Sequence, residues 1–220
     1  MRTTKSLPIR EPDTFFRAVG TCAVGFLWWL AVGAQAGELS GVVLRAGQPV
    51  GEAIVYLDAV AARRTAAPLP ATVEFQQRRL QPRVLVGFCG GELILQNADP
   101  LLHVVRVESL SRSNGVTTLA RVAMPYAGFE KRLALPDCRE PQLLRVVGEN
   151  GEERQRSYLA VVPHPWATVT GVDGRFVLGA LSPGRYRVCV WHEQHGVLAQ
   201  EVKLSPGRPL TVALQFRAKP

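Results

Sequence analysis

The sequence predicts an all-β protein built from two sandwich units. Three observations carry this. Short runs of β-branched and aromatic residues recur at roughly ten-residue spacing, separated by Gly, Pro and Asp turns. Several runs alternate with period two: Leu210, Val212, Leu214 and Phe216 fall on one face, and Thr211, Ala213, Gln215 and Arg217 on the other. No stretch sustains the helical period; only Val116–Met124 offers room for a short turn.

The N-terminus reads as a targeting segment. Arg2, Lys5, Arg10 and Arg17 form a basic region, an apolar run follows from Ala18 to Ala34, and Ala34-Gln35-Ala36 has the small-x-small pattern of a cleavage site. Residues 1–36 are therefore expected to be a signal peptide, with a mature chain from Gly37 and no later span long enough to cross a membrane. The net charge of +8 falls to about +6 after removal of four Lys/Arg and two Asp/Glu, and the remaining excess is scattered arginine. That pattern, with no aromatic-interleaved basic motif, argues against nucleic acid and for a basic outer surface. An exported chain is expected in the periplasm or outside the cell.

The first strand pair, strand, tight turn, strand, spans Ser40 to Leu57. A loop is expected across Ala61–Ala71, with Arg63-Arg64 and two prolines. A second group of strands follows: Val84-Leu85-Val86, Glu92–Gln96, Leu143–Val147 and Tyr158–Val162. A third contains Val169–Leu178, Tyr186–Trp191 and Leu210–Phe216, with explicit turns at Asp173-Gly174, Ser182-Pro183-Gly184 and Ser205-Pro206-Gly207.

The first and third groups carry a shared pattern. Ser40–Leu57 is strand, tight turn, strand. Thr170-Gly171-Val172-Asp173-Gly174-Arg175-Phe176 and then Pro183-Gly184-Arg185-Tyr186 follow the pattern T-x-x-DG-x-F and PG-x-Y. Together they resemble the two halves of a carboxypeptidase regulatory-like module, a transthyretin-like β-sandwich. The middle group carries Gln76-x(5)-Pro82, then Asn97-Ala98-Asp99 and His103-Val104. A strand closing on Asn-x-Asp, a short loop and a histidine resemble the first-ligand region of a blue-copper protein. The implied architecture is a cupredoxin-like Greek-key sandwich, residues 72–162, inserted in a regulatory-like sandwich formed by 37–62 and 163–220. With His164-Pro165-Trp166 and Val190-Trp191-His192-Glu193, the combination resembles exported bacterial proteins labelled methylamine utilization or plastocyanin-like proteins.

The resemblance implies a type-1 copper site, which needs a thiolate, two imidazoles and a weak axial group. Family members that look competent carry Cys-x-x-His and a nearby Met before the strand equivalent to Tyr158–Val162. Here Gly148 to Arg156 contains no Cys, His or Met. His103, Asn97 and Asp99 are therefore expected to be the rim of a vestigial site, with Asn97 and Asp99 capping the loop. Under the same resemblance Cys89 and Cys138 both begin strands at the end remote from the metal, which makes them the expected disulfide. Cys189, mid-strand, reads as a buried thiol.

His192-Glu193-Gln194-His195 is a second constellation. Its spacing is not that of helical zinc proteases, which need both histidines on one helix face. His192, His195 and His164 are candidate ligands of a surface metal; the alternative is a polar turn, with Trp191 and His164-Pro165-Trp166 packing at the junction of the two units. No Gly-x-Ser-x-Gly and no phosphate-cradling glycine loop occur. The functional expectation is a non-enzymatic exported binding or accessory protein without a resident cofactor, partnered by a cell-envelope protein or glycan. The alternatives are a copper-binding or electron-transfer protein, and a metal-dependent hydrolase using His192 and His195.

Overall fold

The computed structural model describes residues 37–58, 69–111, 115–149 and 155–217. The expected signal peptide, most of the Ala61–Ala71 loop and the Arg154 segment lie outside them. Seventeen strands occur among the described residues, arranged in four sheets.

Two sheets come from the chain's two ends. One has β14 (Arg175–Leu181), β1 (Gly37–Arg45) and β17 (Leu210–Phe216) in that order, with the short β2 (Gln48–Pro49) beside β1. The other runs β13 (Ala167–Val169), β3 (Ile54–Asp58), β15 (Gly184–His192), β16 (Gly196–Leu204). Between them lies a core containing Leu39, Val43, Val55, Leu57, Val188, Val190 and Leu214. The sequence motifs explain the corners. Thr170 accepts from the amide of Ala53 and donates to the carbonyl of Val50, both at 2.9 Å, so the motif threonine stitches two loops inside the core. Gly174 sits at φ 73°, and a Cβ there would lie 2.6 Å from the carbonyl of Val43. Only glycine satisfies both demands. The Tyr186 hydroxyl donates to the Ser182 carbonyl at 2.6 Å and closes the Pro183-Gly184 turn.

The other two sheets come from the middle. One runs β10 (Phe129–Ala134), β7 (Glu92–Asn97), β4 (Ala71–Gln76), β5 (Arg79–Gln81). The second runs β6 (Val84–Phe88), β12 (Arg156–Val162), β11 (Gln142–Gly148), β8 (His103–Ser111), β9 (Gly115–Met124). The chain crosses between the two sheets after β5, β6, β7, β9 and β10, which is the Greek-key order of a cupredoxin-like sandwich. Its core includes Phe75, Leu93, Leu95, Val105, Met124, Leu144 and Leu159. The region allowed for a turn, Val116–Met124, is instead a strand. Pairing with β8 decides it, and a bulge between Val107 and Glu108 absorbs the irregular pattern.

Cys89 and Cys138 form the expected disulfide. Cys89 lies in the β6–β7 crossover and Cys138 in the β10–β11 crossover, so the bridge joins two passages between the same sheets. Backbone bonds from Gly90 to the Pro136 carbonyl and from Leu135 to the Gly91 carbonyl run beside it. Cys189 is buried in β15.

A third apolar cluster joins the sandwiches. Ile54, Val84, Ala160 and Val162 are buried there, flanked by Tyr56, Val86, Phe88, Leu143 and Trp191. Along β3, Ile54 and Tyr56 face this joint while Val55 and Leu57 face their own core. Along β12, Ala160 and Val162 face the joint while Leu159 and Val161 face the other core. Strands covered on both faces need continuous apolar runs rather than alternation, and both runs have them. The result is four stacked sheets with three apolar layers.

The middle segment leaves β3 at Asp58 and returns at β13. Because β3 and β13 are antiparallel neighbours, with Tyr56 opposite Ala167, exit and return lie side by side. His164 fastens them: its Nε2–H donates to the Leu57 carbonyl at 2.7 Å. Trp166 packs on the core of the outer sandwich rather than on the joint, and Trp191 alone of the two tryptophans belongs to the joint.

Candidate functional site

The Asn97–His103 region lies at one end of the inner sandwich, where β7 stops and β8 starts. Asn97 is buried and organises three chain segments. Its Nδ2 donates to the carbonyls of Leu101 and Met124, each at 2.9 Å, and its Oδ1 accepts from the Asp99 amide at 3.0 Å. Its own carbonyl accepts from the Gly128 amide at 2.7 Å. The loops around 98–102 and 125–128 are thus held by one residue, the first through its side chain and the second chiefly through its backbone carbonyl.

Asp99 holds a fourth segment. Oδ1 accepts from the Gln77 amide at 2.7 Å and Oδ2 from the Arg78 amide at 2.9 Å. Gln77 and Arg78 form the two-residue connection from β4 to β5, with φ of 51° and 60°. Such a turn ordinarily uses Asn or Gly, because both positions are left-handed. Here a carboxylate from another loop receives both turn amides and offsets that cost. The same Oδ2 receives Nε2–H of His103 at 2.9 Å. Burial alone would raise the Asp99 carboxyl, but the amides of Arg78 and Gln77, with His103, together hold it below its ordinary value.

His103 stacks on Phe75, with centroids 3.8 Å apart and planes 16° from parallel. Across the β8–β9 ladder it faces Met124, which is buried. Carboxylate, phenyl ring and thioether strand therefore bracket the imidazole. An ionised carboxylate only accepts, so Nε2 carries a hydrogen, and a metal could reach only Nδ1 as a neutral donor.

Among the described residues the donor set for type-1 copper is not assembled. The disulfide lies at the opposite end of the sandwich, where β7 and β11 begin, and Cys189 is in the other sandwich. No group of three or more His, Cys, Asp or Glu among the described residues is placed to hold a metal. The sequence between β11 and β12, Gly148 to Arg156, supplies no thiol, imidazole or thioether.

The second constellation is only partly brought together. His192 and His195 stack, with centroids 4.3 Å apart. The Arg45 guanidinium donates to Nδ1 of His195 at 3.1 Å, and the Gln194 amide donates to Nδ1 of His192 at 3.2 Å. The carboxylate between them, Glu193, accepts from Arg83 at 2.6 Å and 3.2 Å. Burial first, then the charge of His195, lowers the pKa of His192; Glu193 pulls the other way, and Arg45 and Arg83 add lesser lowering contributions. A guanidinium on each flank is a poor setting for a cation. His164 does not join the pair. It is buried at the Leu57 end of β3, whereas His192 follows the residue paired with Ile54 at the other end. Of the three candidate histidines, His192 and His195 share one turn and His164 lies apart from them.

Phe75, Met124, Arg45 and Arg83 had no placed partner in the sequence reading. Phe75, Met124 and Arg45 lie in different strands and Arg83 in the bend between β5 and β6, and only the tertiary fold brings each to its histidine or carboxylate.

No protein-family model matches the chain, and no curated protein matches it. Among solved structures, a purple cupredoxin from Nitrosopumilus maritimus is 12% identical with a TM-score of 0.30, covering 41% of this chain and 98% of its own. A copper-containing nitrite reductase from Thermus scotoductus SA-01 is 17% identical with a TM-score of 0.32, covering 54% of this chain. The present chain spans only 28% of that reductase. The Greek-key sandwich itself stands on the strand pairing described above.

Proposed function

We propose that the chain is an exported, non-enzymatic binding or accessory protein that docks a protein partner through the loop end around His103. One observation carries the reading: the motif side chains are spent on architecture while the loops they hold present apolar surface. Asn97 fixes the Leu101 and Met124 carbonyls, and Leu101, Leu102 and Tyr126 stand 46%, 61% and 60% exposed on the loops so held. Clustered exposed apolar side chains on a rigid support suit a protein partner, and better than they suit a polar glycan. The Cys89–Cys138 bridge supports residence in an oxidising compartment.

A copper-binding or electron-transfer role is the second reading, favoured by Met124 lying directly across from His103. A Cu(II) titration of Gly37–Pro220, followed by visible absorption and intact mass, separates the two. A strong thiolate-to-copper band would sink the docking reading, and the intact mass would tell whether Cys89–Cys138 has opened or Cys189 supplies the thiolate. For the docking reading, a partner co-purified with the wild-type chain must be lost with a Leu102→Asp, Tyr126→Asp variant that keeps the wild-type melting point. Retention by that variant would place the docking surface elsewhere.

A further inference from the structure

The turn Glu193–His195, between β15 and β16, ties three other parts of the molecule together. His195 stacks on His192, and its ring centroid lies 5.5 Å from that of Phe216 on β17. Its Nδ1 accepts from Arg45 of β1, so the turn reaches from its own sheet to the facing sheet of the outer sandwich. Glu193 accepts from Arg83, so the turn also reaches the inner sandwich. Trp191, the residue before His192, packs in the joint.

The hydrogen-bond donors fix where the ring hydrogens sit. A guanidinium and a backbone amide nitrogen donate only. Nδ1 of His195 faces Arg45 at 3.1 Å and Nδ1 of His192 faces the Gln194 amide at 3.2 Å, so both are lone pairs. The hydrogen of each neutral ring is therefore on Nε2. The next proton that either ring takes up goes to Nδ1 and displaces the donor already there. On His192 it also places a charge on a ring whose centroid is 4.3 Å from that of His195. Arg45 from β1 and Arg83 from the bend before β6 repel that charge, and Glu193 on the turn itself attracts it. Burial and the charge of His195 accordingly hold His192 below its usual 6.5.

We propose that this turn is an acid-released clasp, closed while His192 and His195 are neutral and opened when they take up protons. Opening displaces the Arg45 and Gln194 donors, lifts His195 from Phe216, and carries the Glu193 tie to Arg83 away from the rim of the joint. The sign follows from His192. A group depressed in the folded state stabilises the closed form fully above pH 6.5, and that share is lost as pH falls through the folded value. The strands beside the turn stay in place, because Val188 and Val190 are buried in the core of the outer sandwich.

Nuclear magnetic resonance of Gly37–Pro220, which holds every described residue, tests this between about pH 8 and about pH 5. At the upper end both rings are expected as Nε2–H tautomers, with His195 in contact with Phe216. On acidification that contact is expected to be lost, and the signals of Arg45, Arg83 and Gly196 to shift together. The amides of Val188 and Val190 are expected to keep their hydrogen-exchange protection. A chain with both His192→Gln and His195→Gln keeps an accepting oxygen at each position and takes up no proton there, so the acid change is expected to be absent from it. An Nδ1–H tautomer of either ring at the upper pH would overturn the proposal without any variant. So would a His195–Phe216 contact that persists to the lower pH, an acid change that survives in the double variant, or one that also strips protection from Val188 and Val190. Unchanged Arg83 signals would overturn the link to the joint.

Discussion

Trp191 lies against Tyr158, ring centroids 5.0 Å apart and planes inclined at 49°, and this contact crosses from one sandwich to the other. Trp191 is opposite Ile54 in its own sheet, and Tyr158 is opposite Val84 in the other. The pair therefore extends the joint cluster of Ile54, Val84, Ala160 and Val162 to its rim. Arg83 and Glu193, at 2.6 Å, close that rim from outside. Aromatic burial dominates the energetics of such contacts.

Trp191→Ala is expected to lower stability by about 2–3 kcal/mol, below the range for a fully buried tryptophan because Trp191 is only half-buried. Urea unfolding followed by tyrosine and backbone signals is expected to become broader or two-step as the sandwiches uncouple. A single unshifted transition would count against the joint.

Asn97→Ala removes two donors and one acceptor from a buried position. The Leu101 and Met124 carbonyls lose their partner, so a loss of about 2–4 kcal/mol is expected. Hydrogen exchange is expected to rise first at the Asp99 amide, which loses its Oδ1 acceptor, while the Gly128 amide keeps the backbone carbonyl of residue 97. Asn97→Asp should not rescue it, since a carboxylate cannot donate to carbonyls.

Cys89 and Cys138 are separated by 49 residues. Loop-closure entropy assigns such a bridge about 4 kcal/mol. The Cys89→Ser, Cys138→Ser double variant is expected to lose most of that in denaturant titration, with the loss confined to the inner sandwich. Adding reductant to that variant is expected to change nothing further.

Burial lowers the pKa of His164 from its usual 6.5, outweighing the pull of the Leu57 carbonyl. A depressed value means the unfolded chain binds the proton more readily. The stabilisation is therefore complete above pH 6.5 and is lost as pH falls through the folded value. His192 is depressed in the same direction and adds to the same window. His164→Gln is expected to flatten the profile of unfolding free energy below that pH, while His192→Gln removes a separate share. If neither variant changes the slope, the burial account of both groups is wrong.

The strands around Val84–Val86, Glu92–Gln96, Leu143–Val147, Tyr158–Val162, Tyr186–Trp191 and Leu210–Phe216 were legible because β-branched runs between turn residues are a local signal. The disulfide was legible once the direction of two strands was assigned by resemblance. The strand at Val116–Met124 was not, because its pattern is broken by a bulge that only β8 explains. The placing of His164 apart from His192 and His195 was not legible either, because it depends on β3 pairing between β13 and β15.

The sequence by itself determined the all-β class, most of the strands, the turn chemistry of Thr170 and Gly174, and the missing thiolate and imidazole between Gly148 and Arg156. Each is a property of neighbouring residues or of simple composition. The tertiary structure decided that Asp99 caps the Gln77-Arg78 turn and holds His103, that β3 and β12 are covered on both faces, and that Arg106 meets Arg121. These depend on sheet register, where residues far apart in the chain become neighbours about 5 Å apart. A one-residue slip there would turn every side chain to the opposite face.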